Sequence, residues 1–142
     1  MYKKILVPLD GSELAEKALD HAEKLAETFD AEIILLLVFP VTVIYGPDEI
    51  VTPSVVDEKQ NEAAEKYLAD LTEELKKRGF KVTAKIKTGM QVAAEITDFA
   101  KGKGVDLIVM STHGDSGITQ WVLGSVAHKV LTQAETPILL VR

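Results

Sequence analysis

Five apolar runs, separated by four stretches with helical periodicity, dominate the chain and leave few folds open to it. Such alternation is the mark of an α/β fold, a parallel sheet covered by helices on both faces. The first run is Ile5-Leu6-Val7-Pro8-Leu9, ending at Asp10-Gly11. A helix follows, with Ser12 as its cap and Leu14, Ala18, Ala22, Leu25 and Phe29 along one face. The second run, Ile33 to Phe39, is apolar throughout and reads as a central strand buried on both faces.

Pro40 to Val56, punctuated by Gly46, Pro47 and Pro53, reads as the longest irregular segment, and loops of this length are usually functional or mobile. A second helix is expected from about Asp57 to Arg78, with Ala64, Tyr67, Leu68, Leu71 and Leu75 inward and Gly79 as its stop. In the third run, Phe80, Val82, Ala84 and Ile86 alternate with Lys81, Thr83, Lys85 and Lys87, the pattern of an edge strand guarded by lysines. Thr88-Gly89-Met90-Gln91 resembles a capping box for a third helix facing inward through Val92, Ala93, Ile96, Phe99 and Ala100. Val105–Met110 is the fourth run, and Pro137-Ile138-Leu139-Leu140-Val141 the last.

With the third run at an edge and helices on both faces, the expected strand order is 3-2-1-4-5, a doubly wound, Rossmann-like sheet in a single domain over residues 1–142. The topological switch point then falls between the first and fourth strands, and ligands of open α/β sheets bind outside the carboxyl ends of the strands there. Those ends are Asp10-Gly11 and Ser111-Thr112-His113-Gly114. The last strand, if an edge, exposes an unbroken apolar row, and the simplest cover is the same strand of a second copy, the alternative being a loop of the chain itself.

After Gly114 and nine intervening residues stands Gly124-Ser125, opening a helix whose Val126, Ala127, Val130 and Leu131 are expected to pack inward. Glycines let backbone amides approach an anion, and a helix N-terminus adds unpaired donors and a positive dipole end. Ser125 serves there either as a plain N-cap or as a phosphate ligand. Asp10 is either an ordinary turn acid or a carboxylate that accepts from ribose hydroxyls or meets a metal ion. His113 fits a spacer or phosphate-loop role better than catalysis. His21 and His128 read as surface residues, and Trp121 as an anchor rather than a lid.

Composition excludes several function classes. A net charge of −6, from 22 acidic and 16 basic side chains, argues against duplex nucleic acid or an anionic membrane as the partner. The absence of cysteine removes disulfides, thiolate metal sites and thiol nucleophiles, and three scattered histidines do not make a protein-held zinc site. No apolar stretch approaches the roughly 20 residues of a membrane span, and no signal peptide is evident, so a cytoplasmic location is expected. The acids of the second helix, Glu62, Glu65, Asp70, Glu73 and Glu74, read as a solvated face balanced by Lys66, Lys76 and Lys77.

The succession Ile-Leu-Val-Pro-Leu-Asp-Gly-Ser, Asp-Leu-Ile-Val-Met-Ser-Thr-His-Gly, Leu-Gly-Ser-Val-Ala and Pro-Ile-Leu-Leu-Val resembles the universal stress protein family from Lys3 to Val141. The resemblance implies a five-stranded parallel fold, dimerisation through the last strand and a cytosolic role in stress response. The family's nucleotide-binding branch carries Gly-x-x-Gly, nine residues, then Gly with Ser or Thr. Gly114, Gly124 and Ser125 match, whereas Ser111 stands at the first glycine, where a backbone needing positive φ would be strained by roughly 1 kcal/mol. The resemblance places Asp10 near the adenosine and Val38 near the adenine, with Pro8 and Leu9 shaping the base pocket. The expected nucleotide site is completed by Met110, Ser111, His113, Gly114, Gly124, Ser125 and Val126. Its ligand is ATP or another adenine nucleotide with Mg²⁺, and no metal ligand is assigned.

Three functions follow: a homodimeric nucleotide-binding regulatory module, an enzyme acting as a slow ATPase or nucleotidyl transferase, or an interaction module without nucleotide, with protein partners unidentified in each case. There is no Walker-type Gly-Lys-Ser/Thr and no evident base to orient water, so efficient turnover is not expected.

Overall fold

A computed structural model describes residues 1–41, 43–45, 51–53, 58–113 and 123–142, with 43–45 and 51–53 described by backbone alone. In chain order the elements are β1 (Lys4–Leu9), α1 (Glu13–Phe29), β2 (Glu32–Pro40), β3 (Val43–Tyr45), β4 (Val51–Pro53), α2 (Glu58–Lys77), β5 (Lys81–Gly89), α3 (Val92–Lys103), β6 (Leu107–Ser111), α4 (Ser125–Gln133) and β7 (Ile138–Val141). The main sheet is parallel and five-stranded, in the order β5-β2-β1-β6-β7. This is the 3-2-1-4-5 arrangement expected of the apolar runs.

Strand alternation divides the core into two layers. Ile5, Val7, Ile33, Leu35, Leu107 and Val109 face α1 and α2, packing on Ala18, Ala22, Leu68 and Leu75. Leu6, Ile34, Leu36, Ile108 and Met110 face the other way, onto Ala93, Ile96, Phe99, Ala127 and Val130 of α3 and α4. Strands buried on both faces must be apolar at every position, which explains why β2 shows no alternation while edge strand β5 does.

Several local expectations need correction. The segment from Pro40 to Val56 is not wholly irregular: Val43–Tyr45 and Val51–Pro53 pair antiparallel, as suits short runs rich in β-branched and aromatic residues. Thr88-Gly89-Met90-Gln91 is no capping box, because β5 continues to Gly89 and Gln91 caps α3 without a side-chain hydrogen bond. The inward face of α1 is centred on Ala15, Ala18, Leu19, Ala22 and Ala26. Phe29 lies at the periphery, edge-on to Tyr2 with ring centroids 5.2 Å apart. Leu131 is 47% exposed rather than inward, since Ala127 and Val130 carry the buried stripe of α4.

Asp106 ties the start of the chain to β6. One of its carboxylate oxygens accepts from the backbone amides of Lys3 (2.8 Å) and Lys4 (2.9 Å). These bonds favour the ionised form and hold its pKa below the usual Asp value. On the opposite face of the sheet from α1, Lys87 stands over Phe99 with its ammonium 5.5 Å from the ring centroid. No helix among the described residues is long and apolar enough to cross a membrane.

Two outcomes follow. Ile5 is fully buried, so Ile5→Ala should cost about 2–5 kcal/mol in urea unfolding. Asp106→Asn should lower stability at neutral pH, because the wild-type carboxylate is stabilised on folding. That advantage is present above the ordinary Asp pKa and is lost as pH falls through the lowered folded value. Urea midpoints taken down the pH scale should therefore converge in acid; a constant gap would contradict the account.

Candidate functional site

β1 delivers Pro8, Leu9 and Asp10 to the carboxyl edge of the sheet, and Gly11 turns the chain into α1 with φ +86°. One Asp10 carboxylate oxygen accepts from the Ser12 amide at 2.9 Å and the Ser12 hydroxyl at 2.5 Å. The same hydroxyl accepts from the Ala15 amide at 3.1 Å, so Ser12 is the N-cap anticipated from sequence and also orients Asp10. Behind this turn, Tyr67 of α2 donates to Glu16 of α1. Burial, then the bond to Glu16, then the charges of Glu16 and Asp10 push the phenol far above its usual range, so Tyr67 is a neutral donor.

β6 delivers the second loop. Ser111 is the last residue of the strand, in register with Val141, and the Thr112 amide donates to the Val141 carbonyl at 2.8 Å. Among the described residues only Asp30 has positive φ outside glycine, so Ser111 carries none of the backbone strain expected from replacing a glycine. Its hydroxyl donates instead to the His113 carbonyl at 2.5 Å, folding the loop back on itself. The Thr112 carbonyl accepts from the Gly124 amide at 2.8 Å. A Cβ on Gly124 would stand 2.7 Å from that same carbonyl oxygen, closer than side-chain carbons approach, so glycine is required by contact.

Gly124 is the N-cap of α4 and offers no side chain, while Ser125 is the first helical residue and exposed. Ser125 is therefore not the N-cap. Without a capping side chain, the first amides of α4 have no acceptor inside the helix and remain available to an anion.

Between the two loops lies a cleft of about 320 Å³, lined by ten of the expected residues: Pro8, Leu9, Asp10, Val38, Met110, Ser111, His113, Gly124, Ser125 and Val126. Gly114 and Trp121 lie outside the described residues. Its apolar lining includes Pro8, Leu36, Val38, Val92, Ile96 and Met110, and its polar lining Asp10, Ser111, Thr112, His113 and Ser125. His113 sets Nδ1 3.0 Å from the Thr112 hydroxyl, and its Nε2 is buried without a hydrogen-bond partner. The contribution of Val92 and Ile96 was missed from sequence, where both counted only as the inward face of a helix. Their signal was the placement of that helix beside β2, the strand that carries Val38.

The cleft thus combines apolar walls with hydroxyls and the uncapped start of α4. Known proteins share this architecture along the entire chain. The protein-family model for the universal stress protein family matches residues 1–142. Universal stress protein YxiE of Bacillus subtilis is 36% identical over 156 residues, covering 100% of both chains. The solved structure of MJ0577 from Methanocaldococcus jannaschii superposes with a TM-score of 0.81 at 36% identity, covering 99% of this chain and 96% of that one. A universal stress protein solved in complex with cAMP gives a TM-score of 0.73 at 22% identity, with coverage of 99% and 97%. The chain belongs to the universal stress protein family.

Proposed function

We propose that this single-domain chain is an adenine-nucleotide-binding regulatory module of the stress response, acting in the cytoplasm as a homodimer. The observation that carries the reading is the cleft itself, whose lining joins apolar side chains suited to a purine with the uncapped start of a helix suited to a phosphate. The base would lie between Val38 and Met110, and the ribose beside Asp10. The phosphates would lie over Ser111, Gly124 and Ser125, with Gly114 completing the loop. The complex of a fold relative with cAMP supports the ligand class. ATP with Mg²⁺ is the form favoured for this chain, and the Asp10 carboxylate is the cleft's candidate for meeting the ion directly or through water.

Ser111 does not weigh against the reading, since it is unstrained and its hydroxyl shapes the loop instead of obstructing it. His113 would line the phosphate loop without acting as a base. Binding would regulate by favouring whichever conformation holds nucleotide better, and only by that difference in affinity.

Dimerisation is proposed through β7, an edge strand of the sheet in which Leu139 is 36% exposed. Because β7 pairs with the strand carrying Ser111, a second copy there would adjoin the phosphate end of the cleft.

Equilibrium dialysis with Mg-ATP tests the site. Saturable binding in the micromolar to millimolar range is expected of the wild type, and no binding would leave the interaction module as the function. Ser125→Pro removes a hydroxyl and one amide at a helix position that tolerates proline, after a Gly124 whose ψ of 149° already suits it. It should weaken binding by about tenfold while leaving the fold intact. Separately, Leu139→Asp should shift the sedimentation mass from dimer to monomer; an unchanged mass would place the interface elsewhere.

A further inference from the structure

The cleft is poor in positive charge. Among the described residues no Lys or Arg lines it, and Asp10 adds a carboxylate. In sequence, residues 40–57 and 111–128 contain no Lys or Arg and carry Asp48, Glu49, Asp57 and Asp115. Helix amides can satisfy one phosphate group, but their dipole supplies only about half a unit charge. A longer phosphate chain needs a cation from the protein or brings its own.

The first basic residue past the motif is Lys129, four residues after Ser125 on α4. Residues four apart share one helix stripe, and long helical side chains lean toward the N-terminus. Four residues span about 6 Å of helix, which an extended lysine side chain covers. Lys129 is exposed, and its ammonium makes no ion pair among the described residues. The inward stripe of α4 is Ala127 and Val130, so Lys129 contributes nothing to the core.

We propose that Lys129 is a specificity-determining residue, reaching back over the start of α4 to the terminal phosphates of a nucleoside polyphosphate and separating it from a nucleotide with a single phosphate. This rests on the nucleotide-binding reading above. Near Ser125 its charge supplements the helix amides; those amides satisfy a single phosphate without it, and its contribution grows as further phosphates add charge.

The test is isothermal titration of wild type, Lys129→Gln and Lys129→Arg with Mg-ATP and with AMP, at low and moderate salt. Lys129→Gln should weaken Mg-ATP about threefold to tenfold, leave AMP within about twofold, and flatten the salt dependence for ATP. Lys129→Arg should restore ATP binding. Equal losses for both ligands, or no loss for either, would overturn the proposal. Failure of the wild type to bind any adenine nucleotide would instead overturn the reading on which it rests.

Discussion

The site depends on one backbone contact: the Gly124 amide on the Thr112 carbonyl, at 2.8 Å, with no room for a Cβ between them. It brings the start of α4 against the end of β6 and so fixes where the helix's unpaired amides lie. With any other residue at position 124 the helix would have to retreat from the strand, or the Thr112 carbonyl would have to turn away. The loop from β6, braced by the Ser111 hydroxyl on the His113 carbonyl, is held from the other side by the Thr112 amide on Val141. The helix start, strand end and edge strand therefore behave as one unit.

The doubly wound sheet supplies what that contact cannot. β1 feeds a helix on one face and β6 feeds a helix on the other, so their loops diverge and leave a gap at the carboxyl edge. The gap inherits apolar walls from strand positions already buried for stability, Leu36 and Met110 among them. The polar rim comes from residues beyond the strand ends, where burial no longer dictates residue type. Fold stability and ligand chemistry are thereby assigned to different positions of the same strands.

The sheet was legible because buried parallel strands must be apolar at every position, while the lysine alternation of β5 could only be an edge. The helix start at Gly124-Ser125 was legible because glycine inside a helix is costly. Legibility failed where tertiary contact outweighed local pattern. Ser111 was read as a strained substitute for glycine, but strand pairing with Val141 keeps it extended. Thr88 was read as a helix cap, but pairing with Phe39 holds it in β5. Val92 and Ile96 were read as core, and nothing local to α3 reveals that the same apolar stripe also walls the cleft.

The central claim is that an adenine nucleotide occupies the switch-point cleft with its phosphate on the start of α4. The most direct measurement is a titration with Mg-ATP followed through assigned backbone amide resonances. Saturable shifts concentrated at Asp10, Val38, Ser111 to His113 and Gly124 to Val126, with the largest at Ser125 and Val126, are the predicted result. Absence of saturable shifts there, or shifts gathered on the lysine face of β5, would contradict it.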